Sequence, residues 1–332
     1  MESSLSFRTP NSILIRTETG VRMASTALPL SPYPSRRMSP RTLRNLLTGL
    51  AFISPWILGF LAFTIYPISS AIYYSFTNYD IVTAPRFIGL ENFRVIFTED
   101  ARFPTSVYNT FYYATLAIPL SLLVSLLVAM LLNLKVRGMA FFRTVFYLPS
   151  IVPDIASALL WSWILNTQFG LLNQTLKSLG LTPVSWLTNP AMTKPSLVLI
   201  SLWTFGGSMV IFLAALQDIP QHLYEAAEID GASALQKTLN ITIPMITPTI
   251  FFNLVMGIIG ATQYFTTAFV MLGAGPLDSA RFYMFHLYVN AFRYFKMGYA
   301  SALSLLLFIF VLTLTLILWR TSGRWVYYER GS

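Results

Sequence analysis

An aspartate inside an apolar run is the first residue with chemistry to offer. Asp154 follows Pro149 and Pro153 in the stretch FYLPSIVPDIASALLWSWIL. A carboxylate is costly to hold in lipid, and one in such a run marks either a solute or ion path or a structural bond to a neighbouring helix. At 1.5 Å per residue from Thr144, Asp154 falls about 15 Å deep, near the middle of a span. The prolines free backbone carbonyls, a break tolerated where it lines a cavity or faces protein, and Ser150 sits in the same break. A second group is Ser201, Thr204 and Ser208, with Phe205 between them. Their offsets of three, four and seven place the hydroxyls on one helical face. Small hydroxyl residues at that spacing are also the ordinary currency of helix packing. A third group is Asn253, Thr262, Gln263, Tyr264, Thr266 and Thr267, where Tyr264 and Phe265 offer ring faces for a sugar to stack on.

Other chemistry has little material. The chain has no cysteine, which removes disulfides, thiolate metal sites and a cysteine nucleophile. Its two histidines, His222 and His286, lie far apart. His222 reads as a solvated or partner-facing residue, and His286 belongs to no motif. No metal site is expected. No glycine-rich loop ending in Lys-Ser or Lys-Thr occurs, so this chain has no P-loop for ATP. No span carries an arginine ladder of the voltage-sensor kind. A membrane enzyme would need catalytic groups clustered at one membrane face, and none is visible.

The elements that hold these residues follow from composition. Of 332 residues, 55% are hydrophobic and 11% charged, against about 25% charged in a soluble domain; mean hydropathy is +0.61. The class is a membrane protein, and the fold expected is all-α. A spanning helix needs about 20 apolar residues. Six stretches qualify: Leu46–Tyr74, Asn109–Leu134, Thr144–Leu165, Pro195–Leu216, Pro248–Leu272 and Met297–Trp319. Pro55 and Pro67 predict a tilt or kink in the first. Residues 1–45, rich in Ser, Pro, Thr and Arg, read as a disordered basic tail rather than a signal peptide; Met23 and Met38 are alternative starts within it. Residues 46–320 form the spanning domain and 321–332 a short tail. The net charge of +9 sits in the flanks of apolar runs, which argues for lipid and topology rather than nucleic acid. With the N-terminus inside, the inner side holds 14 Lys and Arg and the outer side 8. The excess is sharpest at Arg41, Arg44, Lys135, Arg137, Arg143, Arg320 and Arg324. Both termini are then expected in the cytoplasm.

The connection between spans four and five, residues 218–244, differs from the others. Pro220 suits a helix start. Residues 220–229 are good helix formers, and Gly231 suits a left-handed stop. Ser233 and Gln236 have the spacing of a capping box for a second short helix, which Pro244 ends as span five begins. Ala226, Ala227, Gly231 and Ala232 leave the bend small enough for a partner backbone to approach. Its acidic side chains, Glu225 and Asp230 among them, offer a handle for a basic partner. By residues alone it is either such a docking elbow or an amphipathic connector.

Glu225-Ala226-Ala227, three residues, Gly231, nine residues, Ile241, one residue, then Ile243-Pro244 resembles the EAA loop of ABC importer permeases, with Ile243 where the family usually has Leu. Phe146 to Pro153, Trp161, Gly170 and Asn173 are similar to span three of carbohydrate permeases. Gly273-Ala274-Gly275-Pro276, Gly298-Tyr299-Ala300-Ser301-Ala302 and Trp325-Val326-Tyr327-Tyr328-Glu329 extend the resemblance across residues 46–330. It implies a type I importer permease of the maltose and glycerol-3-phosphate kind, first-permease-like. By that resemblance the chain lies in the bacterial cytoplasmic membrane and is a non-catalytic transport subunit for a sugar, oligosaccharide or glycerol-3-phosphate. Glu225, Ala226, Ala227, Asp230, Gly231 and Pro244 become the ATPase-coupling residues. Ser150, Asp154, Ser201, Thr204, Phe205, Ser208, Gln263 and Tyr264 become the solute-path candidates. The implied partners are a second homologous permease, two ATP-binding cassette ATPases that hold ATP and Mg, and an extracytoplasmic solute-binding protein. An ion-coupled carrier is the alternative; it would want ionisable residues in several spans and internal repeats.

Overall fold

The computed structural model describes residues 40–134 and 136–327. Most of the expected tail, Lys135 of the inner-loop charge set, and Tyr328, Glu329 and Arg330 lie outside the described residues. The chain divides into two units, Met1–Phe60 and Leu61–Ser332. The described part of the first is helix α1 (Pro40–Phe60), which begins on a proline and holds Pro55 inside it.

Among the described residues of the second unit, the elements are helices joined by loops, apart from one hairpin of two short strands. Residues Leu61–Ile65 form a π turn that leads into α2 (Tyr66–Ser75). The hairpin follows, β1 (Thr77–Asn78) antiparallel to β2 (Arg86–Phe87). Next come α3 (Glu91–Thr98), α4 (Phe103–Leu132), α5 (Met139–Tyr147) and α6 (Asp154–Ile164). Helices α7 (Leu171–Ser178), α8 (Pro190–Ser201), α9 (Gly206–Gln217) and α10 (Gln221–Ile229) continue the chain. The remainder is α11 (Ala234–Lys237), α12 (Ile243–Met245), α13 (Thr247–Thr262), α14 (Thr266–Leu272), α15 (Tyr283–Tyr288) and α16 (Met297–Ser322). Four stretches are long and apolar enough to cross a membrane: Leu43–Ser75, Phe103–Leu132, Thr247–Leu272 and Met297–Ser322. Two bent pairs, Met139–Ile151 with Asp154–Ile164 and Pro190–Thr204 with Gly206–Gln217, bring the number to six where each pair is taken as one span.

Helix α4 is the centre of the second unit. It packs against α8, α9 and α13, while α16 packs on α2 and α13. Composition is turned inside out relative to a soluble protein. Ser75, Ser106, Ser125, Thr193 and Ser196 are buried, while Leu127, Ile155, Phe252 and Phe308 are exposed. Small residues let helix backbones approach and polar side chains find partners there, and the apolar ones meet lipid.

Three sequence expectations are corrected by helix breaks. Span three is not one helix. Its halves meet at 97°, because Val152, ahead of Pro153, is driven to extended backbone (φ −66°, ψ 128°). Asp154 is therefore the first residue of α6, and the straight-helix depth of about 15 Å does not hold. Span four bends by 47° across Leu202–Phe205, where Gly206 and Gly207 weaken the helix. Ser201 ends one segment and Ser208 lies in the first turn of the next, so Ser201, Thr204 and Ser208 do not share one straight face. Pro244 does not end the second elbow helix either. The chain widens into a π turn at Thr238–Thr242, runs through α12, and bends at Ile246 (φ −94°, ψ 6°). The turn at Leu61–Ile65 precedes Pro67 in the same way; widening relieves the clash of a proline ring with the preceding turn.

Candidate functional site

One of the polar residues singled out in the spans, Tyr264, packs on a residue the sequence reading passed over, Tyr113 of α4. Its ring stacks on Tyr264 with centroids 4.2 Å apart and planes 20° from parallel. Phe282 meets both rings edge-on, at 5.6 Å and 5.3 Å. Tyr264 stands where span five breaks between α13 and α14. Ser201 ends α8, which packs along α4, the helix of Tyr113. Helix α6 packs along α14, which brings Asp154 to this side. The Asp154 carboxylate is exposed in the isolated chain and sits at the N-terminus of α6, where the helix dipole favours a negative charge. Trp161, one face of the same core, meets Trp203 edge-on at 6.0 Å. Trp161 Nε1 and the Tyr264 hydroxyl are buried with no hydrogen-bond partner among the described residues. The site therefore offers a carboxylate, a serine, two unpaired donors and aromatic faces.

The other candidates go elsewhere. Ser150 donates to the Tyr147 carbonyl at 2.7 Å, and Thr204, exposed, donates to the Ser201 carbonyl at 3.1 Å. Phe205 packs on Phe146 in a second core, with centroids 6.1 Å apart. Ser208 is half-buried, and Gln263 is exposed at the end of α13. Gly206 was not singled out from the sequence, yet it joins the two breaks. A Cβ there would lie 2.7 Å from the Phe146 carbonyl oxygen and 2.9 Å from Tyr147 Cα. The bend of span four thus presses directly on the bend of span three. Tyr113 was readable only as one aromatic among several in NTFYYAT; nothing in its spacing sets it apart from Tyr112.

The elbow has the local geometry its residues dictate. Helix α10 ends with Asp230 at the cap and Gly231 in the left-handed region (φ +75°). The Ala232 N–H donates to the Ala227 carbonyl at 2.8 Å and the Gly231 N–H to the Glu228 carbonyl at 3.1 Å, the paired bonds of a Schellman stop. The Ser233 N–H then donates to Gln236 Oε1 at 2.7 Å and the Gln236 N–H to Ser233 Oγ at 3.4 Å, closing a capping box. Two further bonds tie the arms: Lys237 Nζ to Glu228 Oε1 at 2.7 Å, and the hydroxyls of Tyr224 and Thr242 at 2.9 Å. Leu223, Tyr224 and Ile241 pack on the core of Leu216, Ile219 and Ile246. Glu225, Ala226, Asp230 and Gly231 face outward. So do two apolar side chains that sequence reasoning missed, Ile229 (88% exposed) and Leu235 (66% exposed). Nothing lies within 4 Å of a Cβ built on Gly231.

At the opposite end, Asp100 ties three elements together. Its Oδ2 accepts from His286 Nε2 at 2.8 Å and from the Tyr299 hydroxyl, and its Oδ1 accepts from the Arg102 N–H at 2.9 Å. Burial raises the Asp100 carboxyl, but these hydrogen bonds and the nearby imidazole outweigh it, and the net shift is downward. Burial holds His286 below its ordinary value despite the carboxylate.

Comparison with known proteins matches this architecture. Residues 102–322 match the family described as binding-protein-dependent transport system inner membrane component. The chain is 45% identical over 287 residues to the probable ABC transporter permease protein YesP of Bacillus subtilis, covering 85% of this chain and 93% of that one. It is 32% identical over 276 residues to the arabinooligosaccharides transport system permease protein AraP of the same organism, covering 82% and 87%. In fold it resembles a chain of a bacterial ABC transporter involved in the import of the acidic polysaccharide alginate. That match has a TM-score of 0.78 at 24% identity and covers 86% of this chain and 98% of that one. With six apolar segments, a capped elbow before the fifth and a family match from the fourth helix to the end of the last, the chain belongs to the binding-protein-dependent inner membrane components, the permeases of ABC importers.

Proposed function

We propose that this chain conducts a sugar or oligosaccharide across the bacterial cytoplasmic membrane, driven by an ATPase that grips the elbow of α10 and α11. The observation that carries the reading is the elbow itself. It is braced internally by four bonds, yet it exposes Glu225, Ala226, Gly231, Ile229 and Leu235. A small, rigid bend with uncovered apolar side chains suits a cleft on another protein better than water. ATP and Mg belong to that partner, and this chain holds neither. A second homologous permease completes the path, and an external binding protein delivers solute at the Asp100 end. Both termini face the cytoplasm. Membership of this family sides with ATP-driven import over the ion-coupled carrier.

The solute reading rests on the Tyr113–Tyr264 site. Two unpaired buried donors, a serine and a carboxylate beside stacked rings would satisfy sugar hydroxyls and a sugar face. AraP, by its name a permease for arabinooligosaccharides, is compatible with that chemistry. The absence of cysteine makes the test clean. A single Ala232→Cys chain is expected to react with an impermeant maleimide only from the cytoplasmic side. Co-expressed ATPase should protect it from that reagent. Labelling from the outside, or labelling indifferent to the ATPase, would refute the elbow assignment.

A further inference from the structure

Four lysine and arginine side chains among the described residues are not exposed: Arg143, Lys194, Lys237 and Arg281. Lys237 holds Glu228, and Arg281 holds Asp278 at 2.9 Å. Arg143 donates to the Leu132 carbonyl at 3.2 Å, at the negative end of α4. Lys194, like Arg143, has no carboxylate partner, but it stands between two aromatic rings. Its Nζ donates to Asn109 Oδ1 at 3.1 Å and lies 5.4 Å and 5.5 Å from the ring centroids of Tyr108 and Tyr112. No carboxylate among the described residues pairs with it.

Asn109 is locked in place by two further bonds, from Nδ2 to the carbonyls of Asp278 at 2.9 Å and Arg281 at 3.1 Å. One donor of the ammonium is thus fixed and two remain free, between two ring faces. A half-buried cation held by π faces without a counter-charge keeps most of its capacity for an anion. Its position gives that capacity a use. Lys194 and Ser201 are two helical turns apart on α8, and Asn109 and Tyr113 are one turn apart on α4. The Lys194–Asn109 rung therefore lies on the α4–α8 seam, about 6 to 10 Å along it from the level of Ser201 and Tyr113. Of the two, the lysine rung is nearer the Asp100 end.

Building on the reading of the Tyr113–Tyr264 site as the solute site, we infer that Lys194 receives a carboxylate of the solute, so that the transported sugars are acidic ones of the uronate class. The rings of Tyr108 and Tyr112 flank the ammonium, Asn109 aims it, and the neutral part of the sugar reaches the Tyr113–Tyr264 pair.

The test feeds cells carrying the complete importer a mixture of neutral galactose and acidic galacturonate di- and trisaccharides, and measures the accumulated sugars by mass spectrometry. The wild type should enrich the acidic members. Lys194→Met should lower the acidic-to-neutral uptake ratio about tenfold, the scale of one charge-assisted hydrogen bond. Lys194→Arg should keep the ratio within about threefold. The ratio is internal to each preparation, so partial loss of folded chain cancels; Lys194→Gln replaces the methionine variant if that one fails to accumulate. Exclusive uptake of neutral sugars by the wild type overturns the assignment, as does a ratio unchanged by Lys194→Met. An anionic lipid headgroup as the true ligand would leave the ratio unmoved and make ATPase activity in vesicles follow their phosphatidylglycerol content, which also overturns it. Failure of the permease reading looks different: no sugar enters in an ATPase-dependent way, whatever occupies position 194.

Discussion

Tyr113 and Tyr264, 151 positions apart in sequence, stack ring on ring 4.2 Å apart between the second and fifth spans. Replacing Tyr264 with Ala removes a ring from a packed core and should cost about 3–5 kcal/mol, seen as a lower melting temperature in detergent. Tyr264→Phe keeps the ring and deletes only a buried hydroxyl that has no partner among the described residues, so stability should hold or rise. Sugar uptake by Tyr264→Phe should nonetheless fall severalfold. Unchanged uptake would show that the ring pair is packing alone.

Gly231 holds a positive φ in open space, so strain, not collision, decides what can replace it. Gly231→Val should cost roughly 1–2 kcal/mol locally and unwind the stop of α10. Membrane insertion should persist while co-purification with the ATPase is lost. Asparagine tolerates the left-handed region, so Gly231→Asn should keep most of the association. Equal behaviour of the two variants would contradict a conformational requirement.

Neighbouring glycines in span four should respond oppositely. Gly206→Ala drives a methyl into the backbone of Phe146 and Tyr147, whereas nothing lies within 4 Å of a Cβ at Gly207. Overpacking of this kind costs about 1–3 kcal/mol, and Gly206→Ala should lose that much stability and most of its transport. Gly207→Ala should match the wild type in melting temperature. A transport-competent Gly206→Ala chain would mean the two bends move independently.

The Asp100–His286–Tyr299 tie should weaken in acid, in two separate ranges. His286 titrates below its ordinary value of 6.5 in the fold. The unfolded chain therefore takes its proton first, and stability falls as pH drops below about 6.5. Asp100 is also shifted down; its stabilisation is complete above the ordinary carboxylate value and is lost only as pH falls through the depressed one. Melting temperature should decline from pH 7 to pH 5, and His286→Gln should flatten that decline. An equal decline in the variant would place the acid sensitivity elsewhere.

What could be read in the sequence, and what could not, divides along physical lines. The stop at Gly231 and the Ser233–Gln236 box are local events set by a few neighbouring residues, and the structure has both. The apolar spans were legible because lipid demands about 20 residues of one character. The breaks were legible as proline and glycine positions, but their angles were not. The 97° turn before Asp154 starts at the proline step, but the close seating of Gly206 on Phe146 and Tyr147 from another span is a long-range contact. For the same reason Ser201, Thr204 and Ser208 looked coaxial, and nothing in the spacing set Tyr113 apart from Tyr112. Long-range pairings such as Asp100 with His286, or Lys194 with Asn109, leave no trace in spacing.

The bend at Ile246 has a mechanical corollary. On one side of it the arms of the elbow are clasped by the Glu228–Lys237 and Tyr224–Thr242 bonds. On the other stands α13, an unbroken rod of 16 residues, Thr247–Thr262, about 24 Å long. A pivot of about 10° at its foot swings the rod's tip sideways by about 4 Å. Tyr264 stands just beyond that tip, so a pivot of that size at the foot would shift its ring by a distance comparable to its 4.2 Å spacing from Tyr113.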